Sequence, residues 1–263
     1  LKDAPFIADE TVEEFARDGH ALVRGLADPD EVARSGKAIR SAAERFSCET
    51  RSLEERDTYG RAFLQVTNLW RRDERVREFV FNKRFAAVAA RLLGVGRVRL
   101  YHDQALFKEP LGGHTPWHQD QFYWPLDTDR TITMWMPLVD IDSKTGMLAF
   151  ASGSHADGAV GSLKISDESD QALERHIADR GYPVFRADTM RAGDATFHLG
   201  WTMHSAGPNN SRDRMREVMT VIYFADGTRV AEPVNAYQAA DLEAWLGGRR
   251  PGEPADSEMN PLL

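Results

Sequence analysis

Cysteine is almost absent: Cys48 is the single one in 263 residues. An intrachain disulfide is therefore impossible, and a thiolate-clustered zinc site has no ligands to draw on. A reducing cytoplasm is the expected compartment. No apolar run approaches the roughly 20 residues that a membrane-spanning helix needs. The first residues, Leu1, Lys2 and Asp3, carry charge and no apolar stretch, so neither a signal peptide nor an anchor is expected there. An excess of positive charge is also missing. Lys and Arg number 33 against 41 Asp and Glu, for a formal net charge of −8, and such a chain has no general pull toward nucleic acid or anionic lipid. Neither is an expected partner. No G-x-S-x-G or Walker sequence occurs, and Gly112 with Gly113 belongs to no phosphate-cradling motif, which disfavours a nucleotide-driven reaction.

What is present is the composition of an ordinary globular protein, 42% hydrophobic and 28% charged, at a length that one large sheet-based domain can reach. The first third reads as helical. An acidic turn at residues 9–14 opens a helix that Gly19 can end, and residues 20–26 follow as a short strand. Asp28 and Pro29 supply an N-cap and a first-turn proline for a helix running through Arg45, and a further helix over 84–93 stops at Gly94. From Val98 the pattern turns to strands, at residues 98–107, 131–139, 147–150, 194–198 and 217–224, punctuated by Gly and Pro. Helices followed by many short strands indicate an α+β protein whose functional half is a β-sandwich or barrel. The expected division is one domain over 1–263, with a helical scaffold (1–96), a catalytic β core (97–226) and a C-terminal extension (227–263). The polar stretch 154–181, helical in its middle, interrupts the strand series. It is expected to act as a substrate-responsive lid over a preformed site.

The chemistry concentrates in three places. His118, Gln119 and Asp120 form an H-x-D unit, and on a strand its outer side chains share a face because the side-chain period is two. Such a tripeptide is by itself commonly an incidental surface pair. One distant histidine would complete a 2-His-1-carboxylate set, which leaves three positions of an octahedral iron open, and His204, after the strand 194–198, is the natural third ligand. Arg216 begins the next strand, where its planar fork can hold a carboxylate. His114, His155 and His198 read as hydrogen-bonded structural histidines, and Tyr123, Trp124 and Trp201 as core or wall.

With these residues in place, the chain resembles the phytanoyl-CoA dioxygenase family. The resemblance runs through Tyr101 to Pro110, then Pro116, Trp117, His118, Gln119, Asp120 and Gln121, then Met134 to Leu138 and Ala151 to His155, and finally His204 to Asn209 with Arg216. It covers residues 5–262. It implies a double-stranded β-helix (jelly-roll, cupin-like) core with flanking N-terminal helices, and Fe(II) held by His118, Asp120 and His204. It also implies 2-oxoglutarate chelating the iron, anchored by Arg216 and lined by Gln104 and Trp135, with Lys108 a further candidate and Arg214 a minor alternative anchor. Molecular oxygen is the other co-substrate. The implied activity is oxidation of a small-molecule metabolite, by default C–H hydroxylation, with cyclisation, epimerisation or desaturation as variants in natural-product biosynthesis. Two other readings stand beside it: a cupin-like metal enzyme without redox chemistry, and a metal-stabilised small-molecule-binding module.

Overall fold

A computed structural model describes residues 7–161 and 164–263. Its N-terminal third alternates helices with short strands: α1 (Asp9–Asp18), β1 (His20–Val23), α2 (Pro29–Phe46), α3 (Thr58–Ala62), β2 (Leu64–Thr67), α4 (Glu74–Val80) and α5 (Lys83–Leu93). The caps explain the boundaries. Asp28 accepts from the Glu31 amide at 2.8 Å with Pro29 at the first helical position, while Gly94 ends α5 in the left-handed region at φ 65°. Gly19 ends α1 at φ 76°, and a Cβ there would lie 2.6 Å from Thr202 Oγ1, so conformation and space both demand glycine.

The strands that follow are β3 (Val98–Lys108), β4 (Thr115–His118), β5 (Thr131–Pro137), β6 (Ile141–Asp142) and β7 (Leu148–Ala151). After helix α6 (Asp167–Arg180) come β8 (Val184–Arg186), β9 (Thr189–Met190), β10 (Ala195–Leu199), β11 (His204–Ala206) and β12 (Arg216–Ala225), and α7 (Ala236–Trp245) completes the series. Six strands pair in the order β1-β10-β5-β12-β3-β2, four more as β4-β11-β7-β8, and β6 pairs with β9. All pairings are antiparallel. These sheets form the jelly-roll core of a double-stranded β-helix.

Period two sorts the large sheet into two faces. Met134, Met136, Phe197, Met219 and Val221 point outward and pack beneath Phe15, Ile39, Phe79 and Phe85 of the helices in one buried cluster. Their alternates, Thr133, Trp135, His198, Arg216 and Thr220, line the interior cavity. A β-bulge makes the same switch within β3. Ile222 pairs with His102 and Tyr223 with Leu100, so Tyr101 is the extra residue. Leu100 then faces the helices, while His102, Gln104 and Leu106 face the cavity.

The residues after β12 are woven into the core. Asn260 is fully buried and donates to the carbonyls of Leu100 and Trp245, and the Leu263 amide bonds to Val98 O at 3.0 Å. This last stretch covers the end of β3 that β2 leaves free.

Candidate active site

Strand register brings the first two candidate ligands together. His118 closes β4 and His204 opens β11, and they are direct partners across the pair, with ring centroids 4.1 Å apart. Asp120 does not lie on the strand: β4 stops at His118, and Asp120 opens a 3-10 turn (Asp120–Tyr123). Gln119 alone keeps extended dihedrals, φ −124° and ψ 124°. The period-two relation therefore survives for one residue, and the turn then carries the chain away. Asp120 Oδ1 lies 3.6 Å from His118 Nε2 and 3.7 Å from His204 Nε2, and ligand atoms of the three residues fall within 4.8 Å of one another.

The protonation of the group suits a cation. His118 Nδ1 donates to Pro116 O at 2.7 Å and His204 Nδ1 to Thr202 O at 2.9 Å, which leaves both Nε2 lone pairs directed at the common centre. Burial foremost, then the neighbouring His204 for His118 and His198 for His204, lowers both imidazoles to about 4. Burial works against the charge on Asp120, yet the surrounding histidines, His204 foremost, hold its carboxyl below the usual range. Two neutral imidazoles and one carboxylate form a donor set that fits Fe(II).

Sequence reasoning did not assign two residues in contact with this group. Asp120 Oδ2, the oxygen turned away from the imidazoles, accepts from Thr133 Oγ1 at 2.9 Å and faces His198 Nε2 at 3.2 Å. Thr133 and His198 are themselves register partners on β5 and β10. His198 reads in the sequence as one more structural histidine, and its only local signal is an inward parity on a strand that leads to His204. His114 pairs with Asp170 at 3.0 Å instead, and Trp201 Nε1 donates to Asp129 at 2.7 Å. Tyr123 and Trp124 do line the cavity.

A second feature lies at the deep end of the same cavity of about 570 Å³. Arg216 and Lys108 are cross-strand partners on β12 and β3, and both are buried. Like charges placed directly opposite repel. Burial pulls Arg216 down to about 9; burial and then Arg216 pull Lys108 down to about 6. Lys108 Nζ is held by Gly113 O and by Thr115 Oγ1 at 3.3 Å, whereas Arg216 Nε is buried with no hydrogen-bond partner among the described residues. The Arg216 guanidinium lies over the Trp135 ring, 5.4 Å from its centroid. A buried cation that finds no protein acceptor is costly to keep charged, and an anion such as a carboxylate is the group that would relieve it. Gln104 lines the cavity and is hydrogen-bonded to Gln65. Arg214 lies on the surface, 3.9 Å from Asp142 with most of its side chain exposed. The hydroxyl-free Ala206 faces Thr115, its partner on β4, and that residue brings a hydroxyl to the same end.

Within the excursion expected as a lid, helix α6 is tied to the strand that carries His118. Asp170 of α6 accepts from the Trp117 amide at 2.8 Å and from His114, and Ser169 Oγ donates to Trp117 O at 3.0 Å, so the helix is bonded to the strand that ends in His118. Lys164 and Ile165 line the cavity, with the Ile165 amide on Tyr123 Oη at 2.9 Å; residues 162 and 163 of the expected lid lie outside the described ones.

Comparison with known proteins points the same way. The model of the family described as phytanoyl-CoA dioxygenase matches residues 15–218. A probable alpha-ketoglutarate-dependent hypophosphite dioxygenase from Stutzerimonas stutzeri is 28% identical over 132 residues, which is 49% of this chain and 46% of that protein. The chain thus matches a little under half the length of that curated relative. Among solved structures, the non-heme alpha ketoglutarate dependent carbocyclase SnoK from nogalamycin biosynthesis superposes with a TM-score of 0.79 at 24% identity, covering 99% of this chain and 98% of that one. The epimerase SnoN, in complex with Fe3+, alpha ketoglutarate and nogalamycin RO, superposes with a TM-score of 0.78 at 25% identity over 97% of each chain.

Proposed function

Since the chain belongs to the phytanoyl-CoA dioxygenase family, we propose that His118, Asp120 and His204 hold the Fe(II) of a 2-oxoglutarate-dependent oxygenase acting on a small-molecule substrate. The observation that carries this reading is Arg216, a buried guanidinium with no acceptor on Nε among the described residues, in the same cavity as a neutral His, neutral His, carboxylate triad. When bound, iron and 2-oxoglutarate supply the oxidation of a substrate C–H bond by molecular oxygen, with succinate and carbon dioxide as co-products. Arg216 takes the far carboxylate of 2-oxoglutarate, with Trp135 beneath it and Lys108 and Thr115 beside it. Gln104 lines the same chamber. Thr133 and His198 keep the outer oxygen of Asp120 engaged, so that its inner oxygen stays turned toward the two imidazoles. The aromatic walls toward the mouth, Tyr123 and Trp124 among them, position the primary substrate and exclude water.

C–H hydroxylation is the default outcome. Cyclisation, epimerisation or desaturation is the alternative outcome, decided by how the walls hold the reacting carbon, and natural-product intermediates are the substrate class in view. The whole chain works as one catalytic unit, because the residues after β12 form one wall of the cavity through Tyr237, Asp241 and Trp245.

Anaerobic Fe(II) titration and succinate release test the assignment. His118→Ala, Asp120→Ala and His204→Ala are expected to lose tight iron binding and all 2-oxoglutarate turnover while keeping the wild-type circular dichroism. Near-normal iron affinity in any one of them removes that residue from the set. Iron binding by the wild type without iron-dependent succinate release would favour a metal enzyme without redox chemistry or a binding module.

A further inference from the structure

The far end of the cavity holds a carboxylate that the site just described does not use. Tyr237, Asp241 and Trp245 succeed one another four residues apart on α7, so they share one helix face, and all three line the cavity with Tyr59 and Tyr123. Tyr101 Oη donates to Asp241 Oδ2 at 3.0 Å. No Lys or Arg pairs with Asp241 among the described residues; burial raises its carboxyl to about 7, against the hydrogen bonds from Tyr101 and Trp245. Of the long cations lining the cavity, Arg216 belongs to the deep end and Lys164 is exposed. The walls are aromatic. Tyr123 and Tyr237 meet edge to face with centroids 5.7 Å apart, as do Tyr59 and Phe63 at 5.2 Å.

We propose that this end of the cavity selects a primary substrate bearing a protonated amine, with Asp241 taking the ammonium and the aromatic walls covering the adjoining carbon skeleton. The inference rests on reading the cavity as the substrate site of the oxygenase. An enclosed carboxyl without a cation is costly to ionise, and a substrate ammonium supplies the missing partner. Aromatic faces favour the same cation and disfavour an anion in its place. A substrate presenting a phosphate or carboxylate to this end would meet like charge, so the polar group recognised here is an amine.

Calorimetric titration of the iron- and 2-oxoglutarate-loaded protein under argon tests this with three probes that share a phenethyl group: phenethylamine, phenethyl alcohol and hydrocinnamate. At about pH 8 the amine is protonated and the Asp241 carboxyl is ionised. The amine is expected to bind about tenfold or more tightly than the alcohol, and hydrocinnamate more weakly than either. Asp241→Asn keeps the volume and an acceptor for Tyr101, and is expected to erase the preference for the amine while the alcohol changes little. Equal binding of amine and alcohol to the wild type, or no saturable binding of either, overturns the proposal even if the variant fails to fold. So does an amine preference that survives in a folded Asp241→Asn protein. Failure of the oxygenase reading shows separately, as wild-type protein that binds the amine selectively but releases no iron-dependent succinate.

Discussion

At the scale of single residues, the site shows what burial does to charge. Arg216 has lost its water and gained no counter-ion among the described residues, so the folded chain carries a cost that a bound carboxylate would relieve. Replacing it should separate stability from function. Arg216→Met is expected to raise the apparent 2-oxoglutarate requirement by roughly 10- to 150-fold, the equivalent of about 1.5 to 3 kcal/mol for a charge-assisted contact. The ligand-free protein should be at least as resistant to thermal unfolding as the wild type. Arg214→Ala, on the surface, should change neither; a large 2-oxoglutarate defect there, with none in Arg216→Met, would move the anchor.

Thr133 supports a companion prediction. Its hydroxyl is one of two groups on Asp120 Oδ2, and loss of such an outer contact typically costs 10- to 100-fold in metal affinity, so Thr133→Val should weaken Fe(II) binding by about tenfold. Thr196→Val is the control, since that buried hydroxyl on β10 has no partner among the described residues. Equal iron affinities for the two variants would show that Thr133 does not orient the carboxylate.

At the scale of elements, α6 reads in the sequence as part of a lid and sits in the fold as a brace. Its Asp170 engages the Trp117 amide one residue before His118. Asp170→Ala leaves that amide unsatisfied and is expected to cost about 1 to 3 kcal/mol in urea unfolding, with weaker iron binding as β4 loosens. Undiminished stability and iron affinity would return α6 to the role of a detachable cover. Shortening the whole of 154–181 would remove the brace with the cover, so the two functions need the single substitution to be told apart.

At the scale of the whole molecule, buried titratable groups set the response to acid. Burial holds His20, His102, His118 and His204 at about 4, below the 6.5 of an exposed imidazole. The stability they contribute is complete above pH 6.5 and is lost as pH falls toward 4, because the unfolded chain takes up their protons first. Asp103 and Asp241, raised to about 7 by burial, act in the opposite sense: their contribution is present at low pH and lost as pH rises through 7. Four histidines outweigh two carboxyls between pH 6.5 and 4. The thermal midpoint of the metal-free protein should therefore fall on acidification from pH 7 to about 5, by a shift on the order of 5 °C. Iron should blunt the fall, since it occupies His118 and His204. A midpoint that is flat or rises toward pH 5 would contradict this balance.

The sequence by itself determined what backbone geometry repeats locally. The caps at Asp28, Gly19 and Gly94, the alternation that sends Thr133 and Trp135 inward, and the closeness of His118 to Asp120 all follow from dihedral preferences within a few residues. Its strands at 98–107 and 131–139 are observed as Val98–Lys108 and Thr131–Pro137, offset only at their ends. The exit of Asp120 into a 3-10 turn was not legible, because an H-x-D spacing looks the same on a strand and at its end. The tertiary structure alone decided which distant residues meet. It set His118 against His204, Thr133 and His198 together on one oxygen of Asp120, Lys108 opposite Arg216, and α7 along the cavity wall. Those contacts depend on the pairing register of strands far apart in the chain, which only closure of the whole jelly roll settles. Local periodicity assigns each side chain a face, and the packing of complete sheets assigns that face a neighbour.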